Sequence, residues 1–130
     1  MDLHSQNSVA VLTFPTGTGY PRLTRQVLDE LDDLLDAIRA EDLFRGVVIA
    51  SNSESFATGA DIEELAALEG ITVREFAQTG QALFNQIERF PVPVVAAIRG
   101  FCLAPAKRLK SDSVSAAAPI PIIFNRVLLE

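Results

Sequence analysis

Three short runs rich in Val, Ile, Leu and Phe, held apart by two stretches of helical period, restrict this 130-residue chain more than any other feature. "SVAVLTFP" alternates apolar and polar positions, the pattern of a half-buried strand. "RGVVIAS" is a nearly continuous apolar run of the kind found in a buried parallel strand. "PVPVVAAIRG" is led by prolines, so its strand is expected from Val94 to Ile98, closing at Gly100. The order strand–helix–strand–helix–strand implies an α/β domain with parallel pairing and right-handed crossovers.

The intervening periods are specific. From Thr24 to about Ala40, Val27, Leu28, Leu31, Leu34, Leu35 and Ile38 recur at three- and four-residue spacing, which predicts an amphipathic helix. Asp29, Glu30, Asp32, Asp33 and Asp36 fall mostly on its other side and read as a solvated face. A short helix is expected from about Asp61 to Leu68. "ITVREFAQTGQALFNQIERF" opens with Thr72 and Glu75 in capping-box spacing. Its apolar face is Phe76, Leu83, Phe84 and Ile87, with Gly80 where a neighbour is expected to pack closely. The glycines of "TGTGYPR" read as turn geometry, because no phosphate-loop spacing surrounds them.

The chain is long enough for one core, with 48% hydrophobic and 22% charged residues. No apolar run approaches the roughly 20 residues that a spanning helix needs, so no membrane partner is expected. "MDLHSQNSVAVLTFP" shows no basic leader ahead of an apolar stretch, and its terminus, with His4, is expected to fray. Cys102 is the single cysteine; an internal disulfide is excluded, and a reducing, cytoplasmic setting fits. It reads as a small packed residue rather than a nucleophile. One histidine, His4, cannot build a Ser–His–Asp triad or a His-rich metal site. A net charge of -6 argues against nucleic acid as a partner. The charge is uneven: residues 1–103 hold seven arginines and fifteen carboxylates, or -8, while residues 104–130 hold four basic and two acidic groups, or +2. Both lysines, Lys107 and Lys110, lie in the second part.

"SESFATGADIEEL", residues 53–65, raises the functional question. A strand that ends in small residues and then enters a helix presents bare backbone N–H groups at its C-terminal edge, where open α/β layers bind ligands. Ala57, Thr58, Gly59 and Ala60 let a ligand oxygen approach those donors. A tight strand–helix turn explains the same residues without a ligand.

"FATGADIEEL", with "VVIAS" before it and "PVPVVAAIRGFCL" after it, resembles the enoyl-CoA hydratase/isomerase (crotonase) family. The similarity runs from about Ser8 to Leu103. It implies a crotonase-like spiral of parallel strands and helices, here incomplete, and acyl-CoA thioester chemistry through an enolate-like state. By that match the backbone N–H of Ala60 is the first oxyanion donor, and Ala57, Thr58, Gly59, Ala60, Asp61 and Ile62 line the coenzyme A groove. Gly100 starts the second motif. Asp61 also reads as the cap of the following helix. Where family members carry an N-A-L-S-like motif this chain has Pro21-Arg22-Leu23-Thr24, of which only Leu23 and the Thr24 hydroxyl follow it. Arg22 reads as a surface arginine or a contact for a coenzyme A phosphate. The resemblance implies no metal or redox cofactor, coenzyme A entering as part of the substrate, and assembly as a homo-oligomer, the trimer usual in the family.

The second motif departs from the family after Leu103. The family continues into G-G-G-x-E, whereas this chain reads Ala104-Pro105-Ala106-Lys107-Arg108. Pro105 stands where the second oxyanion donor is expected and has no N–H. Arg108 stands where the catalytic glutamate is expected and stays protonated. Glu130 is a poor substitute for the second glutamate. The expectation is therefore two parts, a crotonase-like half over 1–103 and a divergent tail over 104–130, frame-shifted or substituted, and a family protein with weak or no turnover. The alternatives are a non-catalytic binding or assembly module, pairing with a full-length relative, or a truncated product without function. A tail that packs back as a strand and helix over Ile120 to Leu129 is the competing reading of residues 104–130.

Overall fold

The computed structural model describes residues 1–15, 21–57, 70–98 and 121–123. Its first two strands, β1 (Asp2–Gln6) and β2 (Val9–Phe14), form an antiparallel hairpin with Gln6 opposite Val9. Asn7 and Ser8 make the turn with φ of 51° and 63°. Two positive φ values in a two-residue loop give the twist that matches flanking strands. The terminus is thus paired rather than frayed, and His4 lies opposite Val11. Met1 closes this end, its amino group paired with Glu30.

β2, β3 (Gly46–Ser51) and β4 (Val94–Ala97) are mutually parallel and lie side by side. β1 and a short β5 (Pro121–Ile123) flank them, each antiparallel to its neighbour. The parallel centre follows the sequence reading; the two outer strands make the sheet mixed. Pro121 at the start of β5 is opposite Ala97, an outer position where a missing N–H is tolerated.

Register explains the core. Ala10, Val47 and Val94 form one row across the sheet, and Leu12, Ile49 and Ala96 the next. All six are at most 2% exposed. The alternate residues Val9, Val11, Val48 and Val95 are only half-buried. "RGVVIAS" is therefore not buried on both faces as expected: among the described residues, the helices seal the face that carries the two buried rows.

α1 (Arg25–Glu41) buries Val27, Leu28, Leu31, Leu35 and Ile38, each worth roughly 1.5–3 kcal/mol as transferred area. Thr24 caps it, its Oγ1 accepting the Val27 N–H at 3.2 Å, which satisfies one of the four orphan donors. Asp42 ends it in the left-handed region at φ 50°. Asp29, Asp32, Asp33 and Asp36 are exposed, as a solvated face requires.

α2 (Gly70–Glu88) packs Phe76, Leu83 and Ile87 into the same core, with Phe84 packed against it. The capping box expected at Thr72 is overturned, because the helix begins at Gly70 and position 72 is already helical. Glu75 instead faces Arg25 Nη2 at 4.0 Å across the exposed α1–α2 seam. Gly80 is buried, but a Cβ there would meet Leu28 Cδ1 at 3.8 Å. That is ordinary contact, so among the described residues no neighbour makes the close approach expected at Gly80. The C-terminal halves of α1 and α2 are joined by Gln86 Nε2, which donates to Asp36 Oδ1 at 2.8 Å. Arg39 lies 5.2 Å from the Phe90 ring centroid, a cation–π distance.

Candidate functional site

Both sequence segments that carry chemistry leave the sheet at one edge. β3 and β4 run in the same direction in adjacent positions, with Ile49 opposite Ala96. The "FATGADI" segment follows β3 and the Gly100 segment follows β4. The strands that precede them are therefore neighbours, and both segments follow the C-terminal ends of parallel strands, the edge at which open α/β sheets take ligands.

Of the expected site residues, Ala57 is described, and it is fully buried. Thr58, Gly59, Ala60, Asp61, Ile62 and Gly100 lie outside the described residues, as do Cys102, Pro105 and Arg108. The helix expected from Asp61 to Leu68 lies there too. Ala57 belongs to an anchor rather than to a ligand surface. Ser55, Phe56 and Ala57 are 1%, 0% and 0% exposed. The Phe56 ring meets Phe14, at the end of β2, edge to face.

Beneath this anchor is a cavity of about 10 Å³ between the sheet and both helices. Phe14, Leu23, Leu28, Ile49, Phe56 and Ala57 are among its walls. Its lining is apolar, and its size is at the lower limit for one water. The described part of the site is thus an apolar base at the ends of β2 and β3.

The segment before the anchor is held by its own hydroxyls, a feature that sequence reasoning passed over. The Ser53 N–H donates to Ser51 Oγ at 3.1 Å, and the Ser55 N–H donates to Ser53 Oγ at 3.3 Å. The signal was present in "SNSES", where every second residue is a serine able to fold the backbone two residues on.

On the β2 side, Leu23 is buried and Thr24 caps α1, while Arg22 is exposed. The N-A-L-S-like position therefore serves packing and helix initiation at these two residues. Among the described residues, electrostatic perturbation lies on α1. On α1, hydrogen bonds from the N-terminal amine and from Gln26 hold the Glu30 carboxyl below its usual range. Desolvation, then the like charges of Asp36, Asp33 and Asp29, raise that of Asp32. Among the described residues, no group of three His, Cys, Asp or Glu side chains is placed to hold a metal. No helix among them is long and apolar enough to cross a membrane.

Comparison with known proteins agrees with this geometry. The sequence profile described as enoyl-CoA hydratase/isomerase matches residues 4–112, a span wider at both ends than the resemblance read from 8 to 103. The fatty acid oxidation complex subunit alpha of Shewanella halifaxensis is 38% identical over 100 residues. That alignment covers 75% of this chain and 14% of the relative. Among solved structures, an enoyl-CoA hydratase from Bacillus anthracis superposes with a TM-score of 0.71 at 27% identity, covering 76% of this chain and 39% of that one. An enoyl-CoA hydratase/isomerase from Xanthobacter autotrophicus Py2 shares the fold with a TM-score of 0.74 at 24% identity, over 80% of this chain and 40% of that one. The chain thus spans about two-fifths of the length of these solved structures. Its sheet order, its two packed helices and a family profile that covers most of its length agree: the chain belongs to the enoyl-CoA hydratase/isomerase family.

Proposed function

We propose that this chain binds an acyl-CoA thioester at the C-terminal edge of β3 and β4 and turns it over slowly or not at all. The supporting observation is the adjacency of these two parallel strands, whose C-terminal ends lead into the "FATGADI" and Gly100 segments. An enolate-like oxygen is stabilised by preorganised donors on both sides. In this reading the Ala60 N–H is one donor, and Thr58 to Ile62 line the coenzyme A groove, starting one residue after the buried Ala57. Coenzyme A enters as part of the substrate, and no further cofactor takes part.

The slow turnover follows from the second segment. Pro105 has no N–H to offer, and Arg108 cannot accept a proton. A missing oxyanion donor costs about 10² to 10³ in rate, and each missing acid–base group about 10² to 10⁴. The divergent character of residues 104–130 belongs to the same proposal; translation of the alternative reading frames past codon 103 tests whether a G-G-G-x-E-like peptide is encoded there. Homo-oligomerisation, or pairing with a longer relative, belongs to it as well, and is read by size with and without that relative.

The decisive experiment measures crotonyl-CoA binding and hydration by the parent beside Pro105→Gly/Arg108→Glu. The expected result is measurable binding by the parent, with turnover near background and higher in the double variant. Absence of parent binding overturns the acyl-CoA reading. Rapid hydration by the parent overturns the account of the second segment.

A further inference from the structure

We infer that Ser51 and Ser53 are positioning residues, whose hydroxyls fix the exit of the β3 loop so that the segment after Ala57 is presented to its ligand. This rests on the acyl-CoA reading proposed above. The geometry is a relay. Ser51, the last residue of β3, lies opposite Phe14. Its Oγ accepts the Ser53 N–H at 3.1 Å, and the Ser53 Oγ accepts the Ser55 N–H at 3.3 Å. Two successive hydroxyl turns thus carry the chain from the end of the strand to the point where Ser55, Phe56 and Ala57 enter the core. Phe14 joins both ends of the relay, since it lies opposite Ser51 in the sheet and holds the Phe56 ring.

The chemical consequence concerns placement. A backbone donor serves a developing oxyanion only if it is set in advance, and a shift of about 1 Å costs up to 10²-fold. The groove segment begins one residue after Ala57, so whatever fixes Ala57 fixes where that segment starts. The buried Phe56 sets the depth of the anchor, and the two serines set the path into it. Asn52 and Glu54 between them are exposed. This gives internal controls on the same loop.

The test is calorimetric titration of the full chain with crotonyl-CoA, using Ser51→Ala, Ser53→Ala, Ser51→Thr and Ser53→Thr, with Asn52→Ala and Glu54→Ala as controls. Circular dichroism at the titration temperature and the melting midpoint are recorded for each. The alanine variants are expected to weaken binding roughly five- to tenfold, the effect of one lost hydrogen bond. Their folded fraction at the titration temperature is expected to match the parent. Threonine keeps the hydroxyl turn, and its variants are expected to bind like the parent, as are both controls. Parent-like binding by both alanine variants overturns the inference and leaves the acyl-CoA reading standing. Failure of threonine to rescue also overturns it, as does global unfolding of the alanine variants, which would assign the hydroxyls to the fold itself. Absence of binding by the parent overturns the acyl-CoA reading and this inference together.

Discussion

The rings of Phe14 and Phe56 meet edge to face, with centroids 5.4 Å apart and planes at 81°. Phe14 ends β2 and Phe56 lies in the loop after β3, so this contact ties the loop to the neighbouring strand. Phe56 is fully buried, and Phe56→Ala is expected to cost about 3–5 kcal/mol. A double-mutant cycle with Phe14→Leu and Phe56→Leu is expected to give a coupling of about 0.5–1.5 kcal/mol. Urea unfolding with a constant m-value checks both. Additive single losses would show that the two rings are merely neighbours in the core.

Gly80 offers a gain. It is in the interior of α2, where glycine costs about 0.5–1 kcal/mol relative to alanine. Among the described residues, the added Cβ would meet Leu28 Cδ1 at 3.8 Å, an ordinary contact. Gly80→Ala is therefore expected to stabilise the chain by about 0.5–1 kcal/mol, seen as a higher urea midpoint. A lower midpoint would mean that α1 and α2 cannot accept one methyl group between them.

The strands and helices most legible in the sequence were those whose periodicity and burial agree. α1 was read almost to its ends because Val27, Leu28, Leu31, Leu35 and Ile38 all face the core and Thr24 supplies a local start signal. β3 and β4 were found from their Val and Ile runs, and their parallel pairing from the helices between them. β1 was missed for a physical reason. All five of its residues are exposed, so burial left no alternation to read. Its turn uses Asn7 and Ser8 rather than the Asn-Gly pair that usually betrays such a hairpin. The capping box failed because a Thr-x-x-Glu spacing cannot distinguish a helix start from a helix interior when the preceding residues also adopt helical geometry. At the candidate site, small residues and resemblance marked the groove segment, whereas Ser51 and Ser53 act through local backbone bonds. Such bonds leave no trace in hydropathy.

The acid row of α1 has a defined pH response. Burial first, then Asp36, Asp33 and Asp29, raise the Asp32 carboxyl above its ordinary value of 3.8. A raised folded-state value means that ionisation costs more in the folded chain than in the unfolded one. Asp32 therefore removes stability as pH rises from its unfolded value through its folded one, and the penalty is complete above that window. Asp32→Asn is expected to stabilise the chain at pH 7 by about 0.2–0.5 kcal/mol, the scale of one like-charge pair on a helix surface. The advantage is expected to vanish as pH falls below the window, where the parent residue is itself neutral. Glu30 works the other way: its lowered carboxyl contributes stability that is lost as pH falls through its folded value. Melting midpoints of the parent and Asp32→Asn between pH 3 and 7 separate the two. An advantage that persists undiminished at the acid end would remove charge as its cause.

Ala57 joins stability to the proposed binding. It is fully buried, and the void beside it measures about 10 Å³, less than the two methyl groups that Ala57→Val adds. Overpacking of this kind typically costs about 1–3 kcal/mol, and Phe14, Ile49 and Phe56, buried around the same void, leave little room for relief on the core side. Ala57→Val is therefore expected to lower stability by about that amount while weakening crotonyl-CoA binding in the fraction that remains folded. Ala57→Gly removes one methyl group and makes no clash, so it is expected to lose about 1 kcal/mol through chain entropy and lost contact. Its binding is expected to stay closer to that of the parent than the valine variant's does. Urea unfolding and calorimetric titration on both variants give the comparison. Equal binding by Ala57→Val and the parent would show that the anchor can move without disturbing the segment it carries, and the link between core and groove would be lost.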